Sequence, residues 1–217
     1  MAGAVHSIVA TGLRVVPWQL EVGQMLDEHH VCASGADARQ RERFVIDLGT
    51  SLAKFTETMV CTIDGSRITD LRSLCAGFER GLGVGHVTPG LGVFGGLEDA
   101  MRRRPRHGDA PAIRRRFIVW NDAHVLLASD PGLFGRAADA IMGVAAELEF
   151  WSDDVLLIQR AVFVGRPALD VYAEDASGQF KRWHAERGEE PLWKVVTGRS
   201  APSVARWRVG AEVDAPQ

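Results

Sequence analysis

The sequence predicts an α/β fold on a small parallel sheet, and three observations carry that reading. Two long apolar stripes at helical spacing cross the middle of the chain, near 70–82 and 132–148. Short apolar runs near 59–63, 117–120 and 155–158 alternate with them. The resulting order over 58–159 is β-α-α-β-α-β, and helical crossovers between strands favour parallel pairing.

Each element has its own signal. Met59–Ile63 alternates as a half-buried strand and stops at the Asp64-Gly65 turn. Thr69 is the expected N-cap of the next helix, with Asp70 suited to its positive end. Leu71, Leu74, Cys75, Phe78 and Leu82 form one stripe, and the glycines at 81, 83 and 85 end it. A glycine-rich loop follows to Gly96, then a short helix with Leu97, Ala100 and Met101 on one face, stopped by Pro105. Residues 105–113 read as a polar loop. Phe117–Trp120 is apolar throughout, as a central parallel strand is. Asp130-Pro131 opens the strongest helix, whose stripe runs through Phe134, Ala137, Ala138, Ile141, Met142, Ala145 and Leu148. Val155–Ile158 closes the series as a buried strand.

The flanks carry weaker signals. Residues 5–10, 13–16 and 44–48 are expected as strands, 20–28 and 180–186 as short helices, and 32–43 as a polar loop. Residues 161–164 and 169–172 bracket Gly165-Arg166-Pro167 and predict an antiparallel hairpin. Residues 210–217 read as a loose tail.

Of the 217 residues, 46% are hydrophobic and 24% charged, which is globular and excludes fibrous or wholly disordered classes. A net charge of −3 provides no global drive toward nucleic acid. No apolar run reaches the roughly 18 residues of a membrane span, and no secretory signal is recognisable, so a cytoplasmic protein is expected. Cys32, Cys61 and Cys75 form neither a CxxC pair nor a disulfide framework.

Several strings resemble chemical motifs. Residues 90–95 spell GxGxxG but follow Thr88-Pro89 in a loop, not the strand that a dinucleotide site needs. His29, His30 and Cys32 lack a second ligand pair at zinc spacing. Cys61 and Cys75 sit on apolar faces, as small core residues do. Acid pairs such as Glu98-Asp99 and Asp153-Asp154 are adjacent and diverge. No Ser/His/Asp context appears, so no catalytic residue, cofactor or metal is assigned. Arg102, Arg103, Arg104, Arg106, Arg114, Arg115 and Arg116 cluster within fifteen residues. Three readings of that cluster stay open: a phosphate-binding surface, a dock for an acidic protein, and a solvated helix end.

Ile63-Asp64-Gly65 with Ile68-Thr69-Asp70-Leu71, and Phe94-Gly95-Gly96-Leu97-Glu98-Asp99-Ala100-Met101, resemble segments of the barstar family, the intracellular inhibitors of barnase-type ribonucleases. Phe117–Trp120, the helix from Phe134 and the Asp154–Ile158 strand follow that family's order, over about 100 of the 217 residues. The resemblance implies a three-stranded parallel sheet with packed helices at 58–165, flanked by extensions at 1–57 and 166–217. It implies a non-catalytic, protein-binding function, as an inhibitor or bacterial immunity protein for a nuclease toxin. The surface it implies comprises Phe94, Gly95, Gly96, Leu97, Glu98, Asp99, Arg102 and Arg103. Leu97 stands at that family's Asn position and Arg103 at its second acid, which predicts a target less basic than barnase. The alternative is a regulatory module that binds nucleic acid or an acidic partner through the Arg102–Arg116 patch.

Overall fold

Side chains of a strand point alternately to its two faces, so a buried strand must find a core on each side. Phe117 and Val119 point to one core, and Ile118 and Trp120 to the other. Val162 and Val164 share the first, Ala161 and Phe163 the second. These residues belong to β3 (Arg115–Asn121) and β4 (Ile158–Gly165), the inner strands of a sheet completed by β1 (His30–Ser34), β2 (Thr58–Asp64) and β5 (Val204–Arg208). The computed structural model describes residues 17–84, 94–103, 113–150, 157–170 and 204–210. All five strands are parallel, in the order β2-β3-β4-β1-β5.

Helices cover both faces. α1 (Pro17–Glu28) and α2 (Ala38–Leu52) pack Val22, Leu26, Phe44, Leu48 and Leu52 against Val31, Ala33, Phe117 and Val119. α3 (Leu71–Leu82), α4 (Gly95–Arg102), α5 (His124–Ser129) and α6 (Pro131–Phe150) line the opposite face. Trp120 is the centre of that second core. Phe78 meets it edge-on at 5.4 Å between centroids, with Phe134 at 5.5 Å and Phe163 at 6.1 Å.

The expected α/β class holds, but the sheet has five strands where three were predicted. Two of the five come from the segments read as extensions. Residues 32–43, expected as a loop, contain the end of β1 and the start of α2, and 44–48, expected as a strand, is helical. Arg41, Phe44, Leu48 and Leu52 are all buried, and their spacing belongs to one helix face. β1 was hidden because it is five residues long and begins and ends on polar residues that are nevertheless buried, His30 and Ser34.

The last inner strand also shifts. Val155 and Leu156 lie outside the described residues, and Leu157 precedes β4, which starts at Ile158. The expected hairpin at 161–172 is overturned, because 161–164 pairs in parallel on both sides and 168–170 is a helical turn. The expected elements at 5–10, 13–16 and 180–186, and the tail beyond Gly210, lie outside the described residues.

The middle of the chain follows its local signals. α3 is capped by Asp70 and not Thr69: Asp70 Oδ1 accepts from Ser73 N at 2.7 Å, and Asp70 N donates to Ser73 Oγ at 3.1 Å. Such a reciprocal cap stabilises a helix by about 1 kcal/mol. At the other end Gly83 takes φ 64°, the left-handed turn that glycine adopts without Cβ strain. α6 starts where Asp130 Oδ1 accepts from Leu133 N at 2.8 Å. Among the described residues no helix is long and apolar enough to cross a membrane.

Candidate functional site

The segment expected to meet a partner is α4 with its flanking residues. Leu97, Ala100 and Met101 face the core, and Phe94 packs half-buried against it. Gly95, Asp99 and Arg103 are exposed, and Gly96, Glu98 and Arg102 are half-buried. Arg102 spends its guanidinium inside the fold. It donates to Glu147 of α6 through Nε at 2.7 Å and Nη2 at 3.2 Å, to Glu98 at 3.0 Å and to Asp99 at 3.3 Å.

Three other arginines of the cluster, Arg114, Arg115 and Arg116, also have partners within the chain. Arg116 is buried and donates to Gln159 Oε1 at 2.8 Å, to Arg103 O at 3.1 Å and to Met101 O. It thereby caps the carbonyl end of α4 from beneath. Arg114 pairs with Glu57 at 3.1 Å and Arg115 with Asp27 at 3.6 Å. A phosphate-binding stripe needs its cations free for the backbone. Here Arg102 and Arg116 are committed to partners inside the fold and Arg114 and Arg115 to ion pairs at the surface, so the cluster is not the open stripe that the basic-patch reading expected; Arg104 and Arg106 lie outside the described residues.

The remaining sequence candidates fall in the core or outside the description. His30 Nδ1 accepts from Ala161 N at 3.0 Å, joining β1 to β4. Cys32 Sγ donates to Leu169 O at 3.4 Å, and all three cysteines are buried and unpaired with one another. The GxGxxG residues 90–93 lie outside the described residues. Among the described residues no group of three or more His, Cys, Asp or Glu is placed to hold a metal.

A different set of side chains converges at the carboxyl end of the sheet. The connection after β1 enters α2 on one face, whereas Leu169, just after β4, is buried in the core of the opposite face. Adjacent parallel strands whose connections leave to opposite faces open a crevice, and this is where doubly wound sheets bind ligands. Gly35 N donates to Gly165 O at 3.0 Å and Val209 N to Ser34 O at 2.7 Å, so backbone closes the floor. Ser34 Oγ donates to Asp170 Oδ1 above it.

The helix that rises from this crevice carries its own anion. Gly35-Ala36-Asp37 is the whole connection from β1 to α2, and Asp37 Oδ1 accepts from Gln40 N at 2.8 Å. A phosphate loop instead runs GxxxxGK[ST], using glycine-opened backbone amides and a lysine. A carboxylate at the helix N-terminus occupies the positive end that a phosphate would seek.

One turn into α2, Arg41 is 4% exposed and turns back over the crevice. Its Nη1 donates to Gly35 O at 2.8 Å and Ala36 O at 3.0 Å, and its Nη2 meets Asp122 Oδ1 at 3.5 Å. Asp122 follows β3 with φ 48°, a left-handed conformation that Asp tolerates better than most residues. His124 Nδ1 lies 3.8 Å from the same Asp122 oxygen. That nitrogen and Arg41 Nε are buried without a hydrogen-bond partner. Burial pushes the His124 imidazole below its ordinary range; Asp122 opposes this, and Arg41 and Arg166 reinforce it.

None of Ser34, Arg41, Asp122, His124 and Asp170 was singled out from sequence. Two signals were legible. Arg41 sits at i−3 from Phe44, on the buried face of a helix, and Asp122 comes two residues after the apolar run 117–120, at the end where ligand sites gather.

Fold and site together define a doubly wound α/β domain with a side-chain-filled switch-point crevice. The chain matches no known family profile and no curated protein. A solved structure it resembles is the crystal structure of Cdc6p from Pyrobaculum aerophilum, with TM-score 0.45 and 16% identity, over 92% of this chain and 47% of that one. The chain thus spans about half the length of that structure, and a likeness this distant carries no argument about function. The barstar resemblance is corrected on these findings. No family profile matches the chain, and a five-stranded sheet replaces the expected three-stranded one. With it fall the readings as ribonuclease inhibitor and immunity protein, which rested on that resemblance alone.

Proposed function

We propose that this chain is a binding domain without catalytic activity, in which the crevice that other doubly wound sheets offer to a ligand is closed by the protein's own Arg41–Asp122 pair. The carrying observation is that Arg41, buried at the switch point, directs its guanidinium to two carbonyls of its own chain and to Asp122. A guanidinium reserved for phosphate would be left open to solvent, with amides beside it and no carboxylate at the helix end. Asp37 and Asp122 place two carboxylates there instead.

Recognition on this reading belongs to the outer surface. Ile46 of α2 and Phe55 beyond its end, 59% and 44% exposed, are the large apolar side chains that the described surface offers. Calorimetric titration of the full chain with ATP, ADP and GTP at neutral pH tests the reading. The expected result is no binding below millimolar concentration and no phosphate release. Micromolar affinity for any of the three, or hydrolysis, would overturn it.

A further inference from the structure

We propose that His124 is an acid-operated release for the Arg41–Asp122 latch: protonating it opens the crevice between β1 and β4. This rests on the reading of the crevice as closed by its own side chains, and adds the condition under which it opens.

The geometry sets a guanidinium and an imidazole against one oxygen. Asp122 Oδ1 is 3.5 Å from Arg41 Nη2 and 3.8 Å from His124 Nδ1. The histidine nitrogen is buried with no hydrogen-bond partner, and a neutral imidazole so placed is a weak competitor. The surroundings leave His124 little room. A Cβ built on Gly165 would stand 3.0 Å from both its Cβ and its Nδ1, so the ring lies directly on the β4 backbone. The latch itself spans three elements, through Gly35 and Ala36 after β1, Arg41 on α2 and Asp122 after β3.

The charges facing His124 decide the direction. Arg41 comes from α2, Asp122 from the turn before α5, and Arg166 from the segment after β4. β4 itself presents the Gly165 backbone, and Asp170 beyond it is taken by Ser34 Oγ. α6 brings Asp130 to its junction with α5, where the carboxylate is held by Leu133 N. A proton on His124 therefore adds a third positive charge beside two guanidiniums, in a site 13% open at the histidine, with Asp122 as the opposing charge. In the closed form the imidazole is harder to protonate than in water. In an open form, with the ring solvated, it regains an ordinary value near 6.5. The open form then binds the proton more tightly, and acid shifts the population toward it. Asp122 itself stands in a left-handed conformation at the turn before α5, where its carbonyl accepts from Val125 N at 3.0 Å.

Hydrogen exchange of the full chain, followed by mass spectrometry from pH 7.5 to 5 and corrected for intrinsic rates, reads the opening. Peptides covering 33–44 and 121–127 should exchange progressively faster as pH falls below about 6.5, by at most about tenfold per pH unit, while the α3 peptide 71–82 stays protected. His124→Gln should flatten that acid response, and His124→Asn serves if the first variant folds poorly. Asp122→Asn should raise exchange at 33–44 already at pH 7.5. An unaltered acid response in the His124 variants would overturn the proposal, as would equal acceleration in α3, which would mean global unfolding. Nucleotide binding at neutral pH would sink the closed-crevice reading separately, since the acid step is measured without any ligand.

Discussion

Arg41 and Asp122 meet at 3.5 Å across 81 residues of chain, one from the first turn of α2 and the other from the end of β3. Their contact bridges strands that are not neighbours, because β4 lies between β1 and β3. Arg41 also fills two backbone acceptors at the β1–α2 connection. One side chain therefore holds the carboxyl end of the sheet together from above.

That arrangement predicts an energetic coupling. Arg41→Met keeps much of the apolar stem volume and removes the cation, leaving Gly35 O, Ala36 O and Asp122 without it. Asp122 is 25% exposed and can recover some hydration, so the cost should be about 2 kcal/mol, below that of a fully buried pair. Asp122→Asn should cost less, since the carbonyl bonds of Arg41 survive. In a urea-denaturation double-mutant cycle the two losses should fall short of additivity by about 1 kcal/mol. Additive losses would mean that the contact contributes nothing of its own.

Legibility from sequence followed the range of the forces involved. α3 and α6 were readable because caps and stripes are written within twenty residues: Asp70 with Ser73, Asp130 with Leu133, Phe78 with Leu82. β3 was readable because burial on both faces leaves an unbroken apolar run. β1 was not, since its polar ends His30 and Ser34 are satisfied by Ala161 N and Asp170, more than 130 residues away. The site failed for the same reason. Arg41, Asp122 and His124 are ordinary polar residues until the parallel sheet brings their loops to one end. The arginine cluster misled in the opposite sense, because its density is local while its partners Glu147, Gln159, Glu57 and Asp27 are distant.

The core around Trp120 should be intolerant of truncation. Phe78 is fully buried and stacks edge-on against the indole, and Ile141 is fully buried in the same cluster from α6. Phe78→Ala should cost roughly 3–5 kcal/mol and Ile141→Ala roughly 2–5 kcal/mol, the usual sum of lost transfer energy and residual cavity. Equilibrium unfolding monitored by tryptophan fluorescence would measure both. Losses under about 1 kcal/mol at both sites would contradict a shared close-packed core.

The thiols should be inert in the native state. Burial pushes the Cys32 thiol up to about 12, with Asp170 adding to the effect and Arg206 opposing it. Burial likewise pushes Cys61 up to about 11 against the pull of Arg116, and raises Cys75 with help from Glu79. Only the thiolate attacks a disulfide reagent, so labelling at pH 8 should be slow at all three until the protein is denatured. Rapid native labelling at Cys61 would show that β2 is less well covered than its 1% exposure indicates.

Acid sensitivity should trace in part to His30. Its imidazole lies inside the sheet, and burial, followed by Arg160 and His29, pulls its pKa down to about 3 from the ordinary 6.5. The neutral ring is also the form the structure uses, since Nδ1 accepts from Ala161 N and could not do so once protonated. Between pH 6.5 and 3 the unfolded chain holds a proton here that the folded chain does not. Stability therefore rises with pH through that window, is complete above 6.5, and is lost as pH falls toward 3. One such group gives a slope of up to about 1.4 kcal/mol per pH unit. His30→Asn keeps a neutral acceptor and removes the titration, so its stability at pH 7 should drop through packing while its slope between pH 6 and 4 becomes shallower by about one proton. His124→Gln should remove a further, separate share, because its site lies at the other end of the strands. Chemical denaturation at half-unit pH intervals would measure both slopes. A His30→Asn slope as steep as that of the native chain would place the proton uptake elsewhere.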